Sequence, residues 1–342
     1  MAKRSFYVKD SELDDYQVKV INKRTDNSFI VKGCAGSGKS VLALWKAKQI
    51  QTENKGSYLF IIFTNALVQY MADGIRQIGI DHKNIILYNK WKNQKCPGAD
   101  YIIVDEAQDF SLEDIKLFQS KSEKALLLYG DSAQQLYTFR KDNPPASIEE
   151  IIFITKLPSE QLVFNHRLPK TIARVAAYIS QVEDDLVGRC KNEGSEKPKI
   201  LQYKNIEAQL DAIAGLIDNK FLKDVGILFR TNTDVEFAYN YLRDKHGMEL
   251  EAKFSKFMNL DFASDNPKLL TYHSAKGLQF EDVFLPECTV EDKEQQSALY
   301  VALTRSYSSL YILHSGNLSS FFDEVPEHLY DTSLVGAKTE RL

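Results

Sequence analysis

The stretch Gly33-Cys34-Ala35-Gly36-Ser37-Gly38-Lys39-Ser40 matches the pattern G-x-x-x-x-G-K-[ST] at every fixed position. It follows the apolar run Phe29-Ile30-Val31 and precedes Val41-Leu42-Ala43-Leu44-Trp45, which predicts a strand, a glycine-rich loop and a helix in this order. The backbone N–H groups of such a loop and the N-terminal end of the helix bind phosphate groups. We therefore predict that all eight residues bind a nucleotide, with the Lys39 ammonium on the β- and γ-phosphates and the Ser40 hydroxyl on Mg²⁺.

A second motif follows at Ile102-Ile103-Val104-Asp105-Glu106, where an apolar run ends in two carboxylates. Asp105 is predicted to hold Mg²⁺ together with Ser40, and Glu106 to orient and deprotonate an attacking water. Combined with the upstream phosphate loop, this pair indicates hydrolysis of a nucleoside triphosphate and not binding alone.

Composition limits the class of protein. The chain has 342 residues, 44% of them hydrophobic and 26% charged, which is typical of a globular protein of about two domains and excludes general disorder. No apolar run approaches the roughly 18 residues of a membrane helix, and no secretory signal follows Met1, so we expect a cytoplasmic protein that does not act at a membrane. The net charge of −4 excludes a globally basic surface but permits a local basic groove. The four cysteines are far apart and predict neither a zinc site nor disulfides.

Short apolar runs alternate with helical patterns in both halves of the chain, as in an α/β fold with parallel sheets. Strands are predicted in runs 29–31, 58–63, 101–104 and 125–129, and again in runs 200–203, 225–229, 268–272, 283–285 and 310–314. Pro144 and Pro145 lie in a polar cluster that predicts a linker near 141–158. We therefore expect two α/β domains, 1–150 and 151–342.

Further motifs, quoted in chain order, make the pattern specific: Asp105-Glu106-Ala107-Gln108-Asp109, Gly130-Asp131-Ser132-Ala133-Gln134-Gln135-Leu136-Tyr137-Thr138-Phe139-Arg140, Phe164-Asn165-His166-Arg167, Thr271-Tyr272-His273-Ser274-Ala275-Lys276-Gly277-Leu278-Gln279-Phe280 and Tyr300-Val301-Ala302-Leu303-Thr304-Arg305. In this order they resemble the motifs of the UvrD/Rep/PcrA group of superfamily 1 helicases, from about Gln17 to Arg305. The resemblance implies two RecA-like P-loop NTPase domains in tandem, with ATP in the cleft between them.

The resemblance also implies further contacts to ATP. Gln17 resembles the glutamine that reads the adenine edge, and His166 stands where the family commonly has a tyrosine stacked on adenine. Gln134 resembles the γ-phosphate sensor. Arg167 and Arg305 resemble the arginines that the second domain contributes to the γ-phosphate. Two more residues correspond to positions near the phosphates and ribose, namely Gly277 and Gln279.

A track for single-stranded DNA is implied across both domains. Stacking of bases on aromatic rings tolerates any base sequence, as a motor requires. The residues implied are Phe63, Thr64, Asn65, Tyr88, Tyr137, Phe139, Arg140, Thr271, His273 and Ser274. Packing in the core is the alternative for the aromatic residues, and for Trp91 it is the favoured one. Stacking and phosphate contacts do not distinguish DNA from RNA.

The spacing between motifs predicts a minimal form of the family. Large members of the family carry two accessory subdomains, each inserted within one of the two core domains. Here only 40 positions separate Asn65 from Asp105, and the 104 positions from Arg167 to Thr271 are needed for the second domain's own elements. Both accessory subdomains are therefore expected to be missing. The predicted function is an ATP-driven 3′ to 5′ translocase or helicase on single-stranded DNA, with a protein partner or self-association supplying what is missing. The alternatives are a motor subunit of a nuclease, repair or defence complex, and an ATP-dependent switch that binds protein.

Overall fold

The computed structural model describes residues 13–131, 143–181, 185–255, 258–289 and 291–334. The chain divides between His166 and Arg167 into two compact units, called here unit 1 (residues 1–166) and unit 2 (residues 167–342). Each unit contains a six-stranded parallel sheet.

Unit 1 alternates strands and helices along the chain. Its strands are β1 Phe29–Gly33, β2 Tyr58–Ile62, β3 Ile85–Leu87, β4 Ala99–Val104, β5 Ser122–Gly130 and β6 Ser159–Leu162. Its helices are α1 Asp15–Asn22, α2 Lys39–Thr52, α3 Asn65–Ile78, α4 Tyr88–Asn93, α5 Leu112–Lys121 and α6 Ile148–Thr155. The strands are arranged in the order β3-β2-β4-β5-β1-β6.

The central strands of unit 1 are continuous apolar runs because both faces of the sheet are covered. Strands β1 and β4 both pair with β5, with Ile30 opposite Leu128 and Ile102 opposite Leu126. All four side chains are fully buried. Since parallel strands end at the same edge of a sheet, the loops that follow β1, β4 and β5 lie together.

Unit 2 has the same layered composition. Its strands are β7 Asn165–Pro169, which begins at the end of unit 1, β8 Cys190–Asn192, β9 Lys199–Tyr203, β10 Val225–Phe229, β11 Glu251–Lys253, β12 Lys268–Thr271, β13 Phe280–Leu285 and β14 Ser306–Ser315. Its helices are α7 Lys170–Ile179, α8 Leu186–Arg189, α9 Ile206–Lys220, α10 Asn232–His246 and α11 Lys293–Leu303. The main sheet has the order β11-β12-β10-β13-β14-β9, and β7 pairs with β8. The predicted α/β class, two RecA-like domains in tandem, is confirmed.

The predicted linker near 141–158 is wrong, because α6 lies within it. Ser147 caps this helix: its hydroxyl accepts from the Glu150 N–H, and the Glu150 carboxylate accepts from the Ser147 N–H. Beyond α6, strand β6 still pairs with β1 and so belongs to unit 1. The division of the chain therefore lies after His166, later than the boundary expected between 150 and 151.

The two intervals that are short for the family hold elements of the units themselves. Residues 65–104 form α3, β3, α4 and β4, and the described residues between 167 and 271 form β7 to β12 with α7 to α10. This agrees with the minimal form that the spacing predicts. Within the described ranges, no helix is both long enough and apolar enough to cross a membrane.

Candidate nucleotide site

The phosphate-loop motif joins β1 to α2, as its sequence predicts. Gly38 precedes the first residue of α2 with φ of +88°, in the left-handed region that favours glycine. A Cβ on Gly33 would lie 2.9 Å from Leu162 Cβ on β6, so a larger residue does not fit there. Cys34, Ala35 and Ser37 are buried in the loop. The backbone thus turns tightly in front of the helix N-terminus, in the conformation class that binds phosphate through N–H groups.

Lys39 lies inside this turn and is only 6% exposed. Its ammonium donates to the carbonyl oxygens of Gly33 and Cys34, both at 2.9 Å, and lies 4.0 Å from the Asp131 carboxylate at the end of β5. Burying a cation costs folding free energy unless oxygen atoms compensate for the water that it loses. The loop and β5 together therefore hold a positive charge at the mouth of the phosphate loop.

Asp105 directly follows β4 and is 1% exposed. Its Oδ1 accepts from the Glu106 N–H at 3.0 Å, whereas its buried Oδ2 accepts no hydrogen bond from the described residues. Burial, and secondarily the Glu106 charge, raise the pKa of Asp105, while Ser40 and Lys39 lower it in part. A buried carboxylate oxygen without a donor, close to a serine hydroxyl, is a donor set that suits Mg²⁺. The observed arrangement fits the predicted metal ligands Ser40 and Asp105.

Glu106 has φ of +54°, an uncommon value for a residue with a side chain. Such strain costs on the order of 1–3 kcal/mol and clusters at functional sites. The Glu106 carboxylate accepts from the amide of the fully buried Gln108, whose own oxygen accepts from the Asp131 N–H at 2.9 Å. The chain from Glu106 through Gln108 to Asp131 connects the ends of β4 and β5.

Gln17 and His166 are also at this site. The Gln17 side chain is 7% exposed and donates through Nε2 to the Ser37 carbonyl at 3.0 Å. The His166 N–H donates to the Gly36 carbonyl at 3.2 Å. Both predicted base-reading residues are therefore attached to the phosphate loop itself.

In unit 2, the two predicted arginines are neighbours. Arg167 donates through Nη2 to the Thr304 carbonyl at 3.2 Å. Arg305 is 1% exposed, and its guanidinium donates to the Val301 carbonyl at 2.8 Å and to the Thr304 hydroxyl at 3.1 Å. The structure brings these two residues together at the end of α11.

The loop between β12 and β13 carries the other predicted residues of unit 2. The Thr271 hydroxyl accepts from the Ser274 N–H at 3.2 Å, which fixes a turn directly after β12. His273 is half-buried, and burial followed by the Lys276 charge lowers its pKa. Gly277, with φ of +78°, and Gln279 complete the loop, and both are partly exposed.

The predicted DNA residues of unit 1 adjoin an aromatic cluster. The Phe63 ring lies 5.3 Å from the Phe110 ring and 6.1 Å from the Tyr88 ring, and both Phe63 and Tyr88 are partly buried. Thr64 caps α3 by accepting from the Leu67 N–H, and Asn65 is the first residue of that helix.

Trp91, from the same cluster, is fully buried, which confirms the core interpretation made for it. Four predicted residues lie outside the described residues and stay predictions, namely Gln134, Tyr137, Phe139 and Arg140.

Three residues of the site carry no role in the sequence analysis: Asp14, Gln108 and Asp131. Asp14 had a visible signal, since Asp-x-x-Gln is a helix-capping pattern that ends at Gln17. The contacts of Gln108 and Asp131 depend on which strands are adjacent, and no local pattern reveals this.

Two family models match the chain. An AAA domain matches residues 17–140, and a UvrD-like helicase C-terminal domain matches residues 268–313. The first match contains the phosphate loop and both carboxylates, and the second contains the turn after β12, all of β13, α11 and β14 up to residue 313.

Three curated relatives are similar over about two thirds of the chain. A protein of Mycoplasma pneumoniae named as a DNA helicase is 26% identical over 245 residues, which are 65% of this chain and 44% of that protein. A DNA helicase II homologue of Mycoplasma genitalium is 26% identical over 269 residues, 67% of this chain and 37% of that protein. A protein of Acanthamoeba polyphaga mimivirus named as an ATP-dependent DNA helicase is 23% identical over 265 residues, again 67% and 37%.

The chain therefore covers less than half the length of each of these relatives. It matches family models of an AAA domain and of a UvrD-like helicase C-terminal domain, which confirms the resemblance to UvrD-like helicases that its motifs predicted.

Proposed function

We propose that this protein hydrolyses ATP and uses the energy to move 3′ to 5′ along single-stranded DNA, as a translocase or helicase. The observation that carries the proposal is that Lys39, in the loop after β1, and Asp105 and Glu106, directly after β4, lie at the same edge of the sheet on either side of β5, each of them buried. The names of the three relatives supply the DNA helicase part. Direction of movement rests on the family resemblance alone.

In this proposal the loop N–H groups and Lys39 hold the phosphates of ATP. Ser40 and Asp105 would hold Mg²⁺, which when bound neutralises charge on the β- and γ-phosphates. A water molecule attacks the γ-phosphorus and gives a proton to Glu106, while the bond from that phosphorus to the bridging oxygen breaks. The products are ADP and phosphate.

The family resemblance supplies the proposed roles of the unit 2 residues and of Gln134. Arg167 and Arg305 would stabilise negative charge on the γ-phosphate oxygens in the transition state, and Gln134 would sense that phosphate. Gly277 and Gln279 would contact the phosphates and ribose. These roles make the rate of hydrolysis depend on both units.

The proposed DNA contacts fall into two chemical groups. Thr271, His273 and Ser274 would donate to backbone phosphates, since hydroxyl, imidazole and N–H groups at a turn are suited to this. Bases would stack on aromatic rings, for which Phe139 is the main candidate, with Tyr137 and Arg140 beside it and the residues around Phe63 and Tyr88 as further candidates. The partial burial of Phe63 and Tyr88 makes them the weaker part of this set.

The test is steady-state ATP hydrolysis at low salt with no nucleic acid, with single-stranded DNA, with duplex DNA and with RNA. Glu106→Gln serves as the blank, because it keeps the size of the side chain and removes the base. We expect single-stranded DNA to raise the rate at least about tenfold, which corresponds to lowering the activation free energy by about 1.4 kcal/mol. Equal rates in every sample, all above the blank, would instead support an ATP-dependent switch or a subunit that requires a partner.

A further inference from the structure

Asp14, at the start of α1, uses its two carboxylate oxygens for two different purposes. Oδ1 accepts from the Gln17 N–H at 2.8 Å and so caps the helix. Oδ2 accepts from Nε2 of His166 at 2.6 Å. One carboxylate therefore joins the N-cap residue of α1 to a residue 152 positions further along the chain.

Asp14, Gln17 and His166 form a closed network of hydrogen bonds with the phosphate loop, called here the ring. The Gln17 Oε1 accepts from the Asp14 N–H at 3.1 Å, and its Nε2 donates to the Ser37 carbonyl at 3.0 Å. On the other side, the His166 N–H donates to the Gly36 carbonyl at 3.2 Å. Starting from Asp14, the path runs through Gln17 to the loop and returns through His166.

This ring of hydrogen bonds fixes the rotational orientation of the Gln17 carboxamide. Its oxygen is directed at the Asp14 N–H and its nitrogen at the Ser37 carbonyl, so rotating the amide by 180° would bring two donors together and two acceptors together. The amide of Gln17 therefore has one orientation, and that orientation depends on the backbone position of Asp14.

The other end of α1 is held in a different way. The Lys46 ammonium donates to the carbonyl oxygens of Ile21 at 2.6 Å and Lys23 at 2.5 Å. Helix α1 is thus anchored at its C-terminal end to α2, which begins at the phosphate loop. At the N-terminal end, the contact between Asp14 and His166 lies beside the contact of Tyr16 with Phe164, whose ring centroids are 5.7 Å apart, and the bond from Gln17 to Ser37.

We propose that Asp14 is a positioning residue that holds Gln17 and His166 together on the phosphate loop, so that they discriminate the base of the nucleotide. This rests on the proposed function, because it takes Gln17 and His166 as the residues that face adenine. Asp14 itself contacts neither the phosphates nor the attacking water in this account. It therefore affects affinity and base selectivity, and leaves the chemical step nearly unchanged.

The competing explanation is that Asp14 only caps α1. Serine distinguishes the two, because its hydroxyl caps a helix about as well as aspartate does but provides a single short side-chain oxygen. Asp14→Ser keeps the cap and removes the contact with His166, whereas Asp14→Ala removes both. The matched control is Asp15→Ser, at the adjacent exposed carboxylate in the first turn of the same helix.

The experiment measures ATP and GTP binding by calorimetry in a Glu106→Gln background, where no turnover occurs, and KM and kcat for ATP with Glu106 intact. Loss of one charge-assisted hydrogen bond predicts that Asp14→Ser weakens ATP binding about tenfold, with GTP binding changed less and kcat within about twofold. Asp15→Ser should match the parent. His166→Ala should weaken ATP binding by a similar factor, and the Asp14→Ser/His166→Ala pair should be no worse than either single variant.

Wild-type affinity and base selectivity in Asp14→Ser would overturn the inference, as would fully additive effects in the double variant. Neither result would affect the proposed function, which requires that ATP is bound and hydrolysed but not that Asp14 sets the base selectivity. A Glu106→Gln protein that binds no ATP at all would overturn both. Thermal unfolding midpoints of the variants show whether α1 remains folded, and unchanged midpoints with weakened ATP binding are the result that we expect.

Discussion

A buried cation of unit 2 and a buried carboxylate of unit 1 differ in how many of their polar atoms have partners. In unit 2, the Lys268 ammonium donates to Glu251 Oε1 at 3.1 Å, to the Ser264 hydroxyl at 2.9 Å and to the Asn266 carbonyl at 2.5 Å. In unit 1, the buried Asp105 keeps an oxygen that accepts no hydrogen bond from the described residues. Satisfied buried charges support a fold, whereas unsatisfied ones cost stability and are retained where a ligand or a reaction requires them.

Two aspartates make the comparison sharp, because both lie in strands or at strand ends of parallel sheets and both are buried. Burial raises the pKa of Asp282 on β13 to about 6, and the pKa of Asp105 rises for the same first reason. The Ser309 hydroxyl offsets part of the effect at Asp282. Only Asp105 lies beside a phosphate loop, so only its burial is expected to serve catalysis.

The largest expected effect is on hydrolysis. Glu106→Gln should lower kcat for ATP by about 10²–10⁴-fold, the usual contribution of a general base, with a smaller change in KM. Asp282→Asn is the matched control in unit 2 and should stay within about twofold of the parent, since it acts on no reacting atom. A loss of activity in Asp282→Asn as large as that in Glu106→Gln would remove the distinction between the two units.

The next effect concerns the cluster that Lys268 forms with Glu251, Ser264 and Asn266 in unit 2, called here the Lys268 cluster. Lys268→Met should destabilise the protein by about 1–3 kcal/mol, because it leaves the half-buried Glu251 carboxylate without its cation. Denaturant unfolding followed by circular dichroism measures this. Lys223→Met provides the control, since that ammonium is exposed and pairs with Asp265 at 3.5 Å on the surface. Equal stability of the two variants would show that the Lys268 cluster does not support the fold.

Replacing either buried aspartate should increase stability at neutral pH. An aspartate whose pKa is raised on folding contributes stability that is fully present below its unfolded pKa and is lost as pH rises through the folded value. For Asp282 that window runs from about 4 to about 6. At pH 7, Asp105→Asn and Asp282→Asn should therefore each gain about 1–3 kcal/mol, and the gain should disappear below pH 4.

Unfolding of both variants at pH 7 and pH 4, without Mg²⁺ or ATP, tests this expectation. Asp105→Asn should lose ATP hydrolysis as it gains stability, whereas Asp282→Asn should gain stability alone. A destabilised Asp105→Asn at pH 7 would mean that its carboxylate is favourably paired in the folded protein, contrary to the geometry.

The smallest effect concerns the aromatic cluster of unit 1. The Tyr88 hydroxyl donates to Asp114 Oδ1 at 2.5 Å, and Lys92 lies 3.3 Å from the same oxygen. Tyr88→Phe should cost about 1 kcal/mol of stability through loss of this hydrogen bond while keeping a ring on which a base can stack. Fluorescence anisotropy with a labelled oligonucleotide should show single-stranded DNA affinity within about twofold of the parent, and Tyr88→Ala should lower it. Equal affinities of the two variants would exclude Tyr88 from the track.

The sequence predicted the central part of both sheets because those strands are continuous apolar runs. It missed β3, which has only three residues, and β6, whose sequence Ser-Glu-Gln-Leu is largely polar, as suits an edge strand. Helix α6 was mistaken for a linker because Pro144 and Pro145 outweighed the capping pattern from Ser147 to Glu150. Edge strands and capped short helices are stabilised by contacts with distant parts of the chain, which a local sequence pattern does not reveal.

The candidate site divides in the same way. The phosphate loop and the two carboxylates follow from their motifs, because their chemistry requires those residue types at those spacings. The left-handed backbone of Glu106, the oxygen of Asp105 without a donor and the connection from Asp14 to His166 depend on tertiary contacts. Tertiary packing determines these features, so they could not be predicted from the sequence motifs.

The most direct test of the central claim is ATP-driven displacement of streptavidin from single-stranded oligonucleotides that carry biotin at one end. We predict displacement from the 5′ end, little from the 3′ end, and none with Glu106→Gln, because movement toward the 5′ end requires hydrolysis at this site. Displacement from neither end, by protein whose ATP hydrolysis is stimulated by the same oligonucleotides, would contradict the account of a motor on single-stranded DNA.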